Sequence, residues 1–201
     1  MKYLAVATLL LLGAAGGLHA AGDPEAGKAK AATCVACHGA DGNSVNPIWP
    51  NLAGQGAPYL TKQIKDFKSG ARKDPVMSGM AMAVQDPDMD DLTAYFSNQV
   101  LKEGTPVKPE LVDLGAALYN AGDASTGVTA CTACHGPNGN GNPPAQFPAL
   151  RAQQVAYTIK QLQTFKAGTR DNDLNGMMRD IAARMTEQQI EAVAMYLSTL
   201  H

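Results

Sequence analysis

The residues of this chain best equipped for chemistry fall in one pentapeptide used twice: Cys34-Val35-Ala36-Cys37-His38 and, 97 residues later, Cys131-Thr132-Ala133-Cys134-His135. The two copies take all 4 cysteines of the protein, so no thiol is left for another task. Two cysteines three positions apart with histidine directly following make the pattern of c-type haem attachment, in which both thiols add to porphyrin vinyl groups as thioethers. The tether fixes the macrocycle against the peptide, and the adjacent imidazole becomes the fifth ligand of the iron. Cys34, Cys37, Cys131 and Cys134 are therefore the candidate anchors of two covalent haem c groups, and His38 and His135 the candidate proximal ligands.

Three other chemistries use a Cys-x-x-Cys pair. A zinc site would need four ligands gathered from both copies, and a redox dithiol would need a strand-rich βαβ context that the rest of the chain does not supply. A disulfide would leave both histidines without a purpose.

An iron held by histidine alone is open to ligands or peroxide, whereas a second strong protein ligand closes it and makes an electron carrier. Methionine suits that place, because its soft thioether favours ferrous iron and raises the reduction potential. The candidates are Met77, Met80 and Met82 in the first half and Met177, Met178 and Met185 in the second. Counting back without gaps from Tyr95 and Tyr196, an offset of 101, sets Met77-Ser78-Gly79-Met80-Ala81 beside Met178-Arg179-Asp180-Ile181-Ala182. Met77 and Met178 are the only pair matched as methionine, and they are the candidate sixth ligands. Met177 is the rival, since a slip of one residue exchanges it with Met178. Met80 falls opposite Ile181 and Met185 opposite Val84, as packing residues would.

The elements that must position these groups repeat as well. Pro50-Asn51-Leu52 answers Pro148-Ala149-Leu150 at an offset of 98, and the same offset aligns the segment from Lys62 to Arg72 with that from Lys160 to Arg170, where 6 of 11 positions are identical. Leu60, Ile64 and Phe67 form one helical stripe, as do Tyr157, Leu162 and Phe165, and Gly70 and Gly168 stop the two helices. Arg72 and Arg170 follow those stops; they are candidates for pairing with a haem propionate or an interdomain carboxylate, although an arginine placed after a helix is ordinarily exposed. Asp23-Pro24-Glu25 starts a helix that should run into Cys34, with Gly27 marking a close helix crossing. The turn-rich loop after each histidine wraps its haem, and a carbonyl near Pro47 or Pro143 is placed to orient the imidazole. Asp86-Pro87-Asp88 opens a helix reaching about Gln99, and Thr186 with Gln189 makes a capping box for its partner.

These marks divide the chain. Residues 1–20, with Lys2, an apolar run from Leu4 to Leu12 and small residues before Ala21, read as a cleaved signal peptide, too short to span a bilayer. Residues 21–100 are a first helical domain, 101–112 a proline-bearing linker and 113–201 a second domain, so the fold class is all-α. The formal charge of −2, or −3 once Lys2 leaves with the leader, is spread over both halves. It offers no basic patch for nucleic acid, and no further apolar stretch offers a membrane span. Each domain of about eighty residues is marginal as a purely protein core, so the haem must serve as its centre.

The chain resembles the dihaem cytochrome c4 family of exported bacterial cytochromes. The resemblance rests on the leader, the two Cys-x-x-Cys-His domains, the repeated Phe-Lys-x-Gly-x-Arg and Gly176-Met177-Met178-Arg179. It implies two class I cytochrome c folds related by a pseudo-twofold axis, with the haems near one another at the domain interface. It also implies a periplasmic carrier that receives electrons from a donor such as a quinol-oxidising complex and delivers them to a terminal oxidase, often with loose inner-membrane association. On that reading no small-molecule substrate is transformed. The enzymatic alternative, a dihaem peroxidase, needs one iron left open, and a methionine candidate in both halves argues against it.

Overall fold

The computed structural model describes residues 22–104 and 106–201; the signal peptide expected at 1–20 lies outside the described residues. The Asp23 carboxylate accepts the backbone N–H of Glu25 at 2.9 Å and of Ala26 at 3.4 Å, starting α1 (Pro24–Lys30) with proline at its first position. That helix tightens into a 3₁₀ turn at Ala31–Thr33 and continues as α2 (Val35–His38), so the first pentapeptide ends a nearly unbroken helical run. Then follow α3 (Ala57–Ser69), α4 (Met77–Met82) and α5 (Met89–Ser97). The second half repeats the order as α6 (Val112–Ala121), α7 (Thr132–His135), α8 (Val155–Lys166), α9 (Met177–Arg184) and α10 (Glu187–Thr199). Among the described residues extended pairing is confined to two isolated bridges, Asp123 with Val128 and Asn142 with Phe147, and the fold is all-α as expected.

The same helix crossing is built twice. A β-carbon at Gly27 would lie 2.0 Å from the Asp91 carbonyl oxygen of α5, and one at Gly115 would lie 2.0 Å from that of Ala192 in α10. Only glycine lets the two backbones approach this closely. On α3, Leu60 and Phe67 are buried and Ile64 packs beside them against Leu92, Tyr95 and Phe96. On α8, Phe165 is buried, while Ile159 and Leu162 face Leu118, Tyr119, Ile190 and Val193. Gly70 ends α3 in the left-handed region at φ 79°, and Gly168 takes φ 68° just beyond the end of α8.

Two expectations are corrected at the helix starts and ends. Asp86–Asp88 forms a 3₁₀ turn ahead of α5 and neither carboxylate caps it; Asp88 instead meets Lys30 at 2.8 Å, and α5 stops at Ser97 rather than near Gln99. The partner helix is capped as expected, with Thr186 accepting from the Gln189 N–H at 3.2 Å and the Gln189 side chain accepting from the Thr186 N–H at 2.9 Å. The segment between the halves lies against both: the Lys102 N–H donates to Asn43 at 2.8 Å, and Lys108 pairs with Glu191 at 2.7 Å.

Candidate haem sites

A single cavity of about 1100 Å³ runs between the halves and is lined by Cys34, Cys37 and His38 from one and Cys131, Cys134 and His135 from the other. Small-ligand sites are usually about 300–1000 Å³, so this one lies at the large end of cofactor-sized sites. Its walls include Leu60, Ile64, Phe67, Leu92 and Phe96 of the first half and Leu150, Leu162, Phe165 and Ile181 of the second, which suits flat apolar macrocycles.

Each histidine is buried and held by a carbonyl. His38 is 5% exposed with Nδ1 2.9 Å from the Pro50 oxygen, and His135 is 7% exposed with Nδ1 2.9 Å from that of Pro148. A carbonyl only accepts, so Nδ1 carries the proton and Nε2 is free to ligate. Burial, more than the carbonyl bond can offset, holds both imidazoles below their ordinary pKa and keeps them in the neutral, metal-binding form. The expected orienting carbonyls near Pro47 and Pro143 are corrected to Pro50 and Pro148. Pro47 accepts instead from the Tyr157 N–H of the other half at 3.1 Å, and Pro143 from Gln146 at 3.0 Å, so the chain returns to the histidine one short turn later.

Burial pushes the Cys34 thiol upward and that of Cys131 up to about 11, away from the thiolate that zinc binding or disulfide exchange requires. Among the described residues no three His, Cys, Asp or Glu side chains converge as a metal site, so the two pairs do not pool their sulfurs.

The methionine segments border the same cavity. Asp74 accepts the backbone N–H of Val76 at 3.0 Å and of Met77 at 3.1 Å, holding the first turn of α4. Asp173 holds α9 by accepting from the Arg179 N–H at 3.0 Å and from its Nε at 2.8 Å. Although burial opposes it, these N–H donors keep both carboxyls below their usual range. Met77 and Met178 line the cavity, and so do Met80, Met177 and Met185, whereas Met82 is exposed. Ala81 and Ala182, buried at 1% and 0%, keep the offset that joins Met77 to Met178. Met185 is a buried core residue as expected; Met80, expected to pack, is partly exposed on the cavity rim.

Between the pentapeptides lies a polar seam that periodicity alone did not foresee. Arg72 is 8% exposed, a correction to the exposed arginine expected there. It donates to Gln63 at 2.8 Å and, across the seam, to the Tyr157 hydroxyl at 3.0 Å and Gln161 at 2.9 Å. Arg170 reciprocates with Gln161 at 2.7 Å and the Tyr59 hydroxyl at 3.1 Å. Each guanidinium stacks on a phenylalanine of the helix it follows, 4.6 Å from Phe67 and 4.3 Å from Phe165. Burial alone would raise the Tyr59 hydroxyl, but the charges of Arg170, Arg72 and Lys62 outweigh it and hold the group below its ordinary value. Among the described residues neither arginine has a carboxylate in ion-pair contact; Asp66 is taken by Lys62 and by Asn172, and Asp74 by Lys160. Two positive charges at an apolar cavity, answered only by neutral acceptors, fit macrocycles that carry carboxylate arms. Covalent haem c therefore suits the residues present in thiols, imidazoles, apolar walls and charge.

Sequence reasoning passed over Gln55 and Gln153, both buried at the seam. A signal for them existed: each stands five residues after the repeated proline, at the same offset of 98 as Pro50 and Pro148.

Comparison with known proteins gives a consistent result. A family model described as "Cytochrome c" matches residues 24–99 and again 112–201. The chain is 46% identical to a cytochrome c4 of Azotobacter vinelandii over the whole length of both proteins. It is 41% identical to a thiosulfate dehydrogenase electron acceptor of Thiomonas intermedia, over 98% of this chain and 90% of that one. The crystal structure of reduced recombinant cytochrome c4 from Pseudomonas stutzeri superposes with a TM-score of 0.86 at 46% identity, over 90% of this chain and 100% of that one.

Proposed function

The chain belongs to the dihaem cytochrome c4 family, and from that premise we propose that it is a periplasmic carrier passing single electrons toward a terminal oxidase, with His38 and Met77 closing one iron and His135 and Met178 the other. Two covalently attached haem c groups and electron transfer without catalysis come with the family, as do redox proteins as partners. The groups, when bound, supply reversible one-electron iron chemistry.

The chain's own residues do the rest. The four cysteines would tether the groups, the Pro50 and Pro148 carbonyls orient the two imidazoles, and the apolar walls would pack against the macrocycles. The observation that carries the reading is its symmetry: each half presents a buried histidine and a methionine-bearing helix to the same cavity, so neither site is specialised to admit peroxide. The shared offset of buried Ala81 and Ala182 supports Met178 over Met177. The expected division into a leader at 1–20, domains at 21–100 and 113–201 and a linker at 101–112 belongs to the same proposal. Export rests on the leader, and no helix among the described residues is long and apolar enough to cross a membrane.

The test is the weak near-infrared methionine-to-iron absorption of the oxidised protein. The wild type should show it at two-haem strength, and Met77→Ala and Met178→Ala should each lose about half. Retention of the full band in Met178→Ala, with loss in Met177→Ala, would move the ligand by one residue. For the partners, reduced protein should be oxidised rapidly by membranes containing a terminal oxidase. The likeness to a thiosulfate dehydrogenase electron acceptor favours one second reading, in which the electrons arrive from a sulfur-compound dehydrogenase. Rapid reduction by such an enzyme, with no reduction by a quinol-oxidising complex, would select it.

A further inference from the structure

Both imidazoles end their hydrogen-bond chains in the opposite half of the molecule. In the first half His38 Nδ1 donates to the Pro50 carbonyl at 2.9 Å, and the N–H of that same peptide, on Asn51, donates to Gln153 Oε1 at 2.8 Å. In the second, His135 Nδ1 donates to the Pro148 carbonyl at 2.9 Å, and the Ala149 N–H donates to Gln55 Oε1 at 2.8 Å. Return bonds seat each carboxamide on the other half's main chain: Gln153 Nε2 donates to the Asn51 oxygen at 3.0 Å and Gln55 Nε2 to the Ala149 oxygen at 2.9 Å. With an N–H facing one atom and a carbonyl facing the other, the orientation of each carboxamide is determined. His38, His135, Gln55, Gln153, Asn51 and Ala149 are all buried, which limits the access of solvent to both chains.

A peptide is a conjugated unit. A bond accepted from its N–H polarises its carbonyl, and linked hydrogen bonds strengthen one another by about 10–30%. A stronger acceptor at Nδ1 gives the imidazole more imidazolate character, raising its basicity toward iron. We propose that Gln55 and Gln153 are positioning residues acting across the domain interface, each setting through one peptide the donor strength of the histidine in the other half. Gln153 thereby lowers the potential of the haem anchored at Cys34 and Cys37, and Gln55 that of the haem anchored at Cys131 and Cys134. Docking of the halves and tuning of the irons become one event. The inference rests on the reading of His38 and His135 as iron ligands.

The two chains differ in what else holds the loop. Asn51 also uses its side chain, donating to the Ala152 carbonyl at 2.8 Å, and Gln154 donates to the Ser44 carbonyl at 2.7 Å. Ala149 has no side chain with which to do the same. Removing Gln153 therefore leaves its loop seated, which makes it the cleaner probe.

The experiment uses haem-loaded full-length protein carrying Gln153→Leu or Gln55→Leu, with NMR-resolved redox titration to follow each haem separately. Gln153→Leu should raise the potential of the first-half haem by about threefold in its reduction equilibrium constant, or about 28 mV at roughly 59 mV per tenfold for one electron. The second-half haem should move less, and the His38 Nδ1–H resonance of the reduced protein should shift upfield. Gln55→Leu should give the mirror pattern. Gln153→Glu, which retains an acceptor at Oε1, should leave the first-half potential at or below the wild-type value. Equal shifts at both haems, a shift confined to the variant's own half, or a rise with Gln153→Glu as large as with Gln153→Leu would reduce the glutamines to mechanical clasps and overturn the proposal. Failure of the ligand reading would look different: the unmodified protein would itself lack the low-spin histidine–methionine spectrum.

Discussion

The two halves carry the same pentapeptide in frames of different make. The second has a core of Leu118, Tyr119, Val128, Met185, Ile190, Val193 and Leu197, a further cluster of Val155, Ala194 and Met195, and a capped 13-residue closing helix. The first has Ala31, Leu60, Leu92, Tyr95 and Phe96, and a closing helix of 9 residues with no side-chain cap. Bonds across the seam run the other way: the first half's loop is joined to Gln153, Gln154 and, through a bond that Asn51 donates, Ala152, while the second half's corresponding loop is joined to Gln55. A duplicated unit need not duplicate its source of order. The second half buries more apolar residues of its own, and the first draws more on its neighbour.

Core truncations test this most severely. Phe96→Ala should cost about 3–5 kcal/mol and Ile190→Ala about 2–5 kcal/mol. In denaturant unfolding of the haem-loaded protein, the first should advance an early transition and the second a later one. One transition moved equally by both changes would break the comparison.

Next is the seam. Arg72→Met removes a buried donor set and leaves the Tyr157 hydroxyl without its guanidinium partner, while the Gln161 oxygen keeps its bond from Arg170 at 2.7 Å and that of Gln63 its bond from Asn172 at 3.0 Å; the change should cost about 1–3 kcal/mol. Arg170→Met, at a more exposed site, should cost less. Because Arg72 belongs to the half that leans on the interface, the early transition should move more; an equal loss from both variants would place the two arginines on the same footing.

Thr186→Ala breaks a capping box for which the first half has no equivalent, and should destabilise by about 1 kcal/mol in the later transition alone. A shift of the early transition would show that the halves unfold together.

The smallest expected effect is one of pH. The Asp123 carboxyl is held at about 2 by the Ser125 hydroxyl first, then by the Ser125 N–H, Thr126 and Gln189. An acid depressed in the folded state contributes stability that is complete above its ordinary value of 3.8 and is lost as pH falls from there through about 2. The Gln189 side-chain amide, which donates to Asp123 at 2.7 Å, should change its NMR shift over that window. An Asp123→Asn variant should abolish the change.

The sequence by itself determined what is local. Thiol and imidazole spacing, the Asp23 cap, the Thr186 capping box and the close crossing at Gly27 each depend on residues a few positions apart or on the absence of a β-carbon. Covalent geometry dictates such features wherever the chain goes. Only the tertiary structure decided that Arg72 turns inward to Tyr157 and Gln161, that Pro50 and Pro148 rather than Pro47 and Pro143 orient the histidines, and that two glutamines reach across to those same peptides. These partners stand from 12 to 102 residues apart, and what brings them together is burial. A polar group shut away from water must find its complement wherever the packed halves supply one, a requirement that no local pattern encodes.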